Sequence, residues 1–338
     1  MIKEAVAKLV DRKNLESEEA EEAMEEMMSG KATDAQIAGF LVSLRLKGET
    51  VDEITSFAKV MRQKAGKIDL DGHKEMIVDT CGTGGDNSGT FNISTAAAFV
   101  LAGAGLKVAK HGNRSASSKC GSADVLEALG INLETASKNA AECIRKIGIS
   151  FLYAPLFHNA MKHAIGPRKE LGIRTVFNIL GPLTNPANAK VQIIGVFDPN
   201  LTEALAYVLK NLGLRSALVV HGSGLDEITT TGKTKISELS GGKVRTYHIK
   251  PEDFGFSQNN ISEIQAKTVQ ENAASLLDVL KGAEGAKRNV VLMNAGAAIY
   301  IAGKASGINE GIKIARESID SGKALEKLNL FRDFNGHP

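Results

Sequence analysis

Two polar loops hold most of the residues in this sequence that could do chemistry. The first spans Cys81–Thr95 and the second Lys110–Asp124, and both are rich in glycine and in serine or threonine. Each loop follows a short apolar run and leads into a predicted helix whose first residues carry hydroxyl groups. A helix N-terminus offers unpaired N–H groups and the positive end of the helix dipole, and glycine lets a phosphate approach the backbone closely. The two loops together predict a ligand with phosphate groups at both ends.

Common nucleotide-binding patterns do not describe these loops. The dinucleotide pattern GxGxxG fails because Asn87 stands where its third glycine belongs. The P-loop pattern also fails, since Gly232-Lys233-Thr234 is preceded five residues earlier by Glu227. Taken alone, the glycines after residue 81 could form an ordinary turn, and Ser94 could simply cap the next helix.

Alternating strands and helices position these loops. Short apolar runs at 76–79, 106–109, 149–153, 191–197 and 216–221 alternate with helical stretches, which predicts a mostly parallel sheet. Ligands of such sheets bind beyond the carboxyl ends of the strands. Both polar loops follow strands, as does the loop at 222–227, so we expect the three to converge on one cleft.

The predicted fold is α/β with two domains. Helical periodicity and the capping patterns at Thr33 and Thr50 predict a small all-helical N-terminal domain over residues 1–70. A proline-containing segment at about 163–190 interrupts the alternation and is expected to join that domain. Residues 71–162 and 191–338 form the larger domain, a mostly parallel central sheet flanked by helices, with an edge strand at 241–250.

Composition limits the possible partners. The 338 residues include 41 basic and 39 acidic side chains without long runs of either sign, which argues against a nucleic-acid or membrane-surface role. Three widely spaced cysteines form neither a disulfide framework nor a zinc-ligand pattern. The N-terminal stretch is acidic and amphipathic, unlike a signal peptide, and no apolar run approaches about 20 residues. We therefore expect a cytoplasmic protein without a membrane or nucleic-acid partner.

Five segments resemble the signature loops of the anthranilate phosphoribosyltransferase family, within the nucleoside phosphorylase and phosphoribosyltransferase superfamily. They are GTGGD at 82–86, NIST at 92–95, KHGNRSASSKCGSAD at 110–124, HNAMKHAIGPRKELGIRTVFNILGPLTNP at 158–186 and LDE at 225–227. The resemblance implies transfer of the phosphoribosyl group of phosphoribosyl pyrophosphate (PRPP) to the amine of anthranilate. The products would be N-(5-phosphoribosyl)anthranilate and pyrophosphate, in tryptophan biosynthesis. It also implies Mg²⁺ as cofactor and a homodimer.

The resemblance assigns roles to residues of this sequence. It implies that PRPP contacts Gly82, Gly85, Asp86, Thr90, Asn92, Ile93, Ser94, Thr95, Lys110, His111, Gly112, Asn113, Arg114, Ser115, Ala116, Ser117, Ser118 and Ser122. It implies that anthranilate contacts Gly82, His111, Asn113, His158 and Arg168. The Mg²⁺ ligands would be Ser94, Asp226 and Glu227, which suits a cation that takes few protein ligands beside phosphate oxygens and water. No covalent or dedicated acid/base residue is expected, because an aromatic amine is already neutral at pH 7.

Several of these assignments have simpler alternatives. An Asp-Glu pair is usually part of a solvated loop, and Arg168 without the resemblance could equally be a surface residue. A pyrimidine nucleoside phosphorylase would share the architecture, but its SGRG…HTGGT run is absent. A non-catalytic relative that binds nucleotide or nucleic acid would have lost metal or loop residues, whereas Ser94, Lys110 and Asp226 are present.

Overall fold

The computed structural model describes residues 1–70, 76–114 and 120–336. The first described helices are α1 Ile2–Val10, α2 Ser17–Met28, α3 Asp34–Lys47 and α4 Val51–Lys64. The strands are β1 Ile77–Gly82, β2 Lys107–Gly112, β3 Ile149–Tyr153, β4 Val191–Gly195, β5 Ser216–Gly222, β6 Thr234–Ser240 and β7 Lys243–Ile249. The helices after β1 are α5 Ile93–Gly103, α6 Ser122–Ala128, α7 Leu133–Lys138, α8 Ala140–Lys146, α9 Ala154–Phe157, α10 Lys162–Leu171, α11 Phe177–Leu180, α12 Leu201–Asn211, α13 Val269–Leu280, α14 Ala286–Ile301, α15 Ile308–Asp320 and α16 Lys323–Asn335.

The described strands form one seven-stranded sheet in the order β3-β2-β1-β4-β5-β6-β7. The five strands from β3 to β5 are parallel, and β6 and β7 add antiparallel pairs at one edge. The predicted fold class is therefore confirmed, with β7 as the expected edge strand. Strand β6 was missed, because its alternation of polar and apolar residues is weak and Gly241-Gly242 supplies the only obvious turn signal.

Each face of the sheet has its own apolar core. Val78, Val108 and Leu218 point to the face covered by α5 and α13–α16. Ile194, Val219 and neighbours point to the opposite face, where α12 and the N-terminal helices share one core. The N-terminal helices therefore pack against one face of the sheet domain as well as against each other, and α4 contacts α12 directly.

Two predicted helix starts are confirmed, and the start of α5 differs from the prediction. The capping boxes at Thr33–Gln36 and Thr50–Glu53 form as predicted. The N-cap of α5 is Asn92, so Ser94 and Thr95 are not caps but lie in the first helical turn. Their backbone N–H groups consequently have no acceptor within the helix. None of the helices in the described part of the chain is long and apolar enough to cross a membrane.

A buried carboxylate organises the N-terminal helices. Glu53 is fully buried and accepts hydrogen bonds from the backbone N–H groups of Leu15 (2.9 Å) and Thr50 (2.8 Å). The Lys47 ammonium lies 2.8 Å from the same carboxylate, and its side chain is only 4% exposed. This ion pair fastens the α1–α2 connection to the start of α4.

Replacing Glu53 by Gln should destabilise the protein strongly. The substitution leaves the buried Lys47 charge without its partner, which costs about 3–5 kcal/mol in comparable buried pairs. Urea unfolding of E53Q and the parent measures the difference. Asp52→Asn, at the exposed neighbouring position, is the matched control and should change stability by less than about 1 kcal/mol. Equal stability of E53Q and the parent would contradict the structural role of the ion pair.

Candidate active site

The site lies at the carboxyl ends of β1, β2, β4 and β5. The chain builds the sheet from β1 toward β3 and then returns to place β4 on the other side of β1. This reversal between β1 and β4 is the position where open α/β sheets form a ligand crevice. The chain leaves strands at this edge after residues 82, 112 and 222, as predicted for the three loops.

Glycines at the ends of three strands make room for the acidic loop. A Cβ atom on Gly195 would lie 1.5 Å from the carbonyl oxygen of Asp226, and one on Gly82 would lie 2.4 Å from Asp226 Oδ2. A Cβ atom on Gly222 would lie 2.4 Å from the carbonyl oxygen of Glu227. The backbone of Asp226 and Glu227 can cross directly over the strand ends only because these positions lack side chains.

Lys110, Ser94 and Glu227 form a connected polar array. The Lys110 ammonium donates to the Ser94 hydroxyl (3.0 Å) and to the Thr80 carbonyl (2.5 Å). The Ser94 N–H, in the first turn of α5, donates to Glu227 Oε1 at 3.2 Å. The first helical turn, the end of β2 and the acidic loop thus meet at one point.

Acidic side chains outnumber basic ones around this buried array. Asp226 Oδ2 accepts from the Gly84 N–H (2.8 Å), and the Asp226 N–H donates to Asp86 Oδ2 (3.4 Å). Burial, with the nearby Asp86 charge, raises the pKa of Asp226 to about 7. Burial and the Asp226 charge also raise the pKa of Glu227 well above its usual value, although Lys110 opposes this shift. Acids held this way favour an added cation.

The donor set fits Mg²⁺. Two carboxylates and one hydroxyl are hard oxygen ligands, which Mg²⁺ prefers. The described residues do not gather three or more His, Cys, Asp or Glu side chains into a metal-holding group. Mg²⁺ commonly takes few protein ligands and completes its coordination shell with phosphate oxygens and water.

A further buried acid, Asp79, interacts electrostatically with Lys110. Asp79 is fully buried, and its carboxylate accepts from the His111 N–H (3.1 Å) and from Gln192 Nε2 (3.1 Å). Burial lowers the pKa of Lys110, whereas the Asp79 charge opposes that change. The sequence interpretation assigned no role to Asp79 or Gln192. An acid inside an apolar strand was the available signal.

The second polar loop is only partly described. Of the predicted PRPP contacts, Ser115, Ala116, Ser117 and Ser118 lie outside the described residues. The Arg114 guanidinium is bound to carboxylates of α6, at 2.7 Å from Asp124 and 2.6 Å from Glu127. Arg114 therefore binds carboxylates of its own chain in this structure, and its contact with PRPP stays a prediction. These carboxylates raise the pKa of Arg114.

The remaining second-loop positions form its two ends. Asn113 is exposed, and its carbonyl accepts from the Ala123 N–H at 3.3 Å, which ties the loop to α6. Gly112 ends β2, where an added Cβ atom would lie 2.7 Å from the Phe151 ring. Ser122 is the first residue of α6, while Gly121 is its N-cap.

A strap from residues 264–272 holds the first polar loop. The Phe91 N–H donates to the Ile264 carbonyl at 2.9 Å, and Thr90 forms a bridge with Gln265. Asn272 is buried, and its Oδ1 accepts from both the N–H and the Nδ2 of Asn92 at 3.1 Å. The strap was not anticipated, because its residues lie far along the chain from the loop that they contact.

Two predicted positions at the start of α5 point inward. Ile93 is buried in the sheet core. Thr95 is also buried, and its hydroxyl has no hydrogen-bond partner among the described residues. The side chains of these two residues therefore point into the core. The Ile93 N–H already donates to the Phe91 carbonyl at 2.7 Å, so of the two backbone N–H groups that of Thr95 is the candidate donor to an anion.

His111 and His158, predicted to line the anthranilate path, form a buried pair. Their Nε2 atoms are 3.2 Å apart, so one imidazole donates to the other. Burial, together with the neighbouring His158, lowers the pKa of His111 to about 3. Burial lowers the pKa of His158 to about 4, although the Thr184 carbonyl opposes the shift. Both rings are neutral at pH 7.

Stability should fall as the pH is lowered because of this pair. The folded pKa of each ring lies below the ordinary value of 6.5, so between about pH 6.5 and 4 the unfolded chain binds protons that the folded chain does not. Each site then removes up to about 1.4 kcal/mol of unfolding free energy per pH unit. His158→Gln should reduce that slope by up to this amount in urea titrations at several pH values.

Comparison at pH 8 separates packing from protonation. Both imidazoles are neutral there in the folded and the unfolded chain, so any difference between His158→Gln and the parent at pH 8 is the cost of lost packing. Parallel curves of the two proteins from pH 8 to pH 4 would contradict the assigned pKa shift.

Arg168 packs on an aromatic ring of α11. It is half-buried in α10, and its guanidinium carbon lies 5.1 Å from the centroid of the Phe177 ring. Burial lowers the pKa of Arg168. The structure therefore brings Gly82, Asp86, Ser94 and Lys110 together with the acidic loop, whereas Arg168 packs against Phe177 at the start of α11.

Comparisons with known proteins agree with this architecture. Two family models match: the helical bundle domain of the glycosyl transferase family over residues 3–65 and the a/b domain of that family over residues 74–325. A protein of Acetivibrio thermocellus named anthranilate phosphoribosyltransferase is 56% identical over 335 residues, covering 99% of this chain and 96% of its own.

Solved structures give the same result. A crystal structure of anthranilate phosphoribosyltransferase (TrpD) from Thermus thermophilus is 42% identical, with a TM-score of 0.92 and 98% of both chains covered. The anthranilate phosphoribosyltransferase of Saccharomyces cerevisiae in complex with PRPP and Mg is 30% identical, with a TM-score of 0.90, covering 98% of this chain and 97% of its own. These matches extend over both the helical part and the sheet.

Proposed function

The chain belongs to the anthranilate phosphoribosyltransferase family, and on this premise we infer that it transfers the phosphoribosyl group of PRPP to the amine of anthranilate. Pyrophosphate and N-(5-phosphoribosyl)anthranilate are the products, as in tryptophan biosynthesis. The family, the enzyme class and the reaction predicted from the sequence are confirmed by the relatives that carry this name. The residue roles below are proposals.

The array of Lys110, Ser94 and Glu227 supports the assignment of the PRPP site most strongly. An ammonium has three N–H donors, and two of those on Lys110 bind Thr80 and Ser94. The third is proposed to bind the pyrophosphate. The Thr95 N–H in the first turn of α5 and the N–H groups of Gly85 and Asp86 are proposed as further donors. Asp86 is proposed to position a loop N–H or a ribose hydroxyl rather than a phosphate.

Ser94, Asp226 and Glu227 are the proposed Mg²⁺ ligands. When bound, Mg²⁺ would neutralise charge on the pyrophosphate, and the Saccharomyces cerevisiae relative was solved with PRPP and Mg. In this chain the acids are held ready by two backbone donors, Gly84 N–H and Ser94 N–H. Without such a cation, the carboxylates of Asp226 and Glu227 would repel the anionic pyrophosphate of the substrate.

The reaction is proposed to be a displacement at the anomeric carbon of the ribose. The C–O bond to pyrophosphate breaks with its electron pair on oxygen, positive charge develops on the ribose ring, and the anthranilate nitrogen attacks from the opposite face. Lys110 stabilises the departing oxygens, and the loops hold the ring. The nitrogen then loses a proton to water, because the protonated product amine is strongly acidic. Positioning and electrostatics suffice without a protein nucleophile.

The acceptor site is proposed to lie beside the neutral His111–His158 pair. Asn113 and Arg168 complete it, since a guanidinium binds a carboxylate bidentately. Neutral imidazoles suit an aromatic acceptor because they add no charge beside its amine. We also propose that residues 1–70 with the segment 163–190 form one domain, and that its helices form a homodimer contact.

Loss of anthranilate fluorescence tests the function directly. Enzyme, PRPP and Mg²⁺ are added in turn, and the signal should decay only when all three are present. Constant fluorescence, with PRPP binding still measurable, would show that the acceptor is wrong. Phosphorolysis of thymidine and uridine would then test the nucleoside phosphorylase alternative.

A further inference from the structure

Arg174 connects the inserted segment to the glycine loop of the PRPP site. It lies between α10 and α11, and its Nη2 donates to the carbonyl oxygen of Gly85. The guanidinium is stacked on Phe197, with its central carbon 4.3 Å from the ring centroid. Three guanidinium atoms lie 3.7–3.8 Å from the position that a Cβ atom on Gly85 would occupy.

The backbone at this point has little preference of its own. Gly84 and Gly85 have φ angles of +64° and +79°, and Asn87 has +57°. Glycine adopts both signs of φ with similar ease, so the peptide between Gly85 and Asp86 can turn over at low cost. An external contact must therefore decide which way it points.

The hydrogen bond from Arg174 fixes the orientation of the Gly85–Asp86 peptide. In a planar trans peptide the C=O and N–H groups point in opposite directions. When Arg174 holds the Gly85 carbonyl, the Asp86 N–H is directed away from Arg174. Successive N–H groups in a loop with left-handed residues form an anion-binding concavity. The orientation of one peptide therefore decides whether this loop can present its N–H groups to a phosphate.

Arg174 is itself held in place. Phe197 follows β4, and its N–H donates to the Thr83 hydroxyl at 3.1 Å. The Thr83 N–H donates in turn to the Gly195 carbonyl at 2.9 Å. The aromatic ring under the guanidinium is thus fixed to the same loop, which restricts Arg174 to the carbonyl of Gly85.

We propose that Arg174 is a positioning residue for PRPP, acting through the Gly85–Asp86 peptide. The proposal rests on the proposed function for the identity of the ligand. Arg174 is not required to touch the substrate: its effect is to keep the loop in the conformation that binds pyrophosphate. Loss of the hydrogen bond should therefore weaken PRPP binding more than it slows the transfer step.

Arg174→Met tests the proposal. The KM for PRPP should rise about tenfold, the effect of losing one charge-assisted hydrogen bond, while kcat and the KM for anthranilate change less than about threefold. Arg174→Gln retains an N–H donor and should recover part of the PRPP affinity. Arg145→Met is the matched control, because exposed Arg145 also donates to a backbone carbonyl, that of Asp69 at 2.8 Å, but away from the site.

Amide hydrogen exchange of the free protein separates this proposal from the proposed function. Exchange at residues 85–87 should be faster in Arg174→Met than in the parent or in Arg145→Met, whatever substrate the enzyme uses. Arg174 is exposed, so the variant should fold, and its thermal unfolding checks this. Unchanged exchange, or an unchanged KM for PRPP in an active enzyme, would overturn the role of Arg174.

Discussion

The double variant Asp226→Asn/Glu227→Gln should lose about 10³-fold in kcat at saturating PRPP and Mg²⁺, the scale of removing a charge-stabilising element from an active site. The substitutions keep the shape and oxygen acceptors for Gly84 N–H and Ser94 N–H but remove the charges that would hold the cation. Anthranilate fluorescence decay measures the rate across a Mg²⁺ titration.

The double variant should lose activity without losing folding stability. Burial opposes the charged form of both acids, so neutral amides relieve a desolvation cost in the metal-free protein. Glu252→Gln/Asp253→Asn, an adjacent acid pair in the 3₁₀ helix Pro251–Phe254, is the matched control and should keep parental activity. A fully active Asp226/Glu227 variant would exclude these carboxylates as the cation site.

Lys110→Met should lower kcat/KM for PRPP by about 10²–10³-fold, since it removes a positive charge aimed at the departing pyrophosphate. The side chain is 3% exposed, so methionine fills the space without restoring the donor. Steady-state rates at varied PRPP measure the change, and PRPP binding by calorimetry separates affinity from rate.

Lys107→Met is the control for this substitution. Lys107 lies at the opposite end of the same strand and donates to the Arg145 carbonyl at 3.1 Å, away from the carboxyl ends of the strands. It should leave kcat/KM within about twofold. A Lys110→Met enzyme with parental kcat/KM would mean that the pyrophosphate is stabilised by other groups.

Sequence reasoning predicted the elements with strong local signals. The alternation of strands and helices, the capping boxes at Thr33 and Thr50 and the meeting of three loops follow from periodicity, short-range hydrogen bonding and the geometry of parallel sheets. Each of these depends on residues close together in the chain or on a general rule of the fold. The predicted ends of β1 and β2 were wrong, because each strand extends three residues beyond the predicted runs at 76–79 and 106–109.

The missed features depend on distant partners. Asn272 meets Asn92, Gln192 meets Asp79, and Arg174 meets Gly85, and none of these pairs has a sequence signal. Arg114 likewise meets Glu127 of α6, thirteen residues along the chain, through its guanidinium. Long flexible side chains choose their partners only after the backbone is folded.

The inserted segment at about 163–190 is synthesised long after the N-terminal helices that it packs against. The apolar core of the N-terminal helices also contains Phe177, Leu180 and Leu183, although α4 ends at Lys64 and α10 begins only at Lys162. At synthesis rates of about 5–20 residues per second, the first helices wait roughly 5–20 s for these partners. During that interval the nascent helices would expose apolar side chains that Phe177, Leu180 and Leu183 later cover. A fragment ending near residue 66 should therefore fold incompletely and aggregate rather than behave as an independent domain.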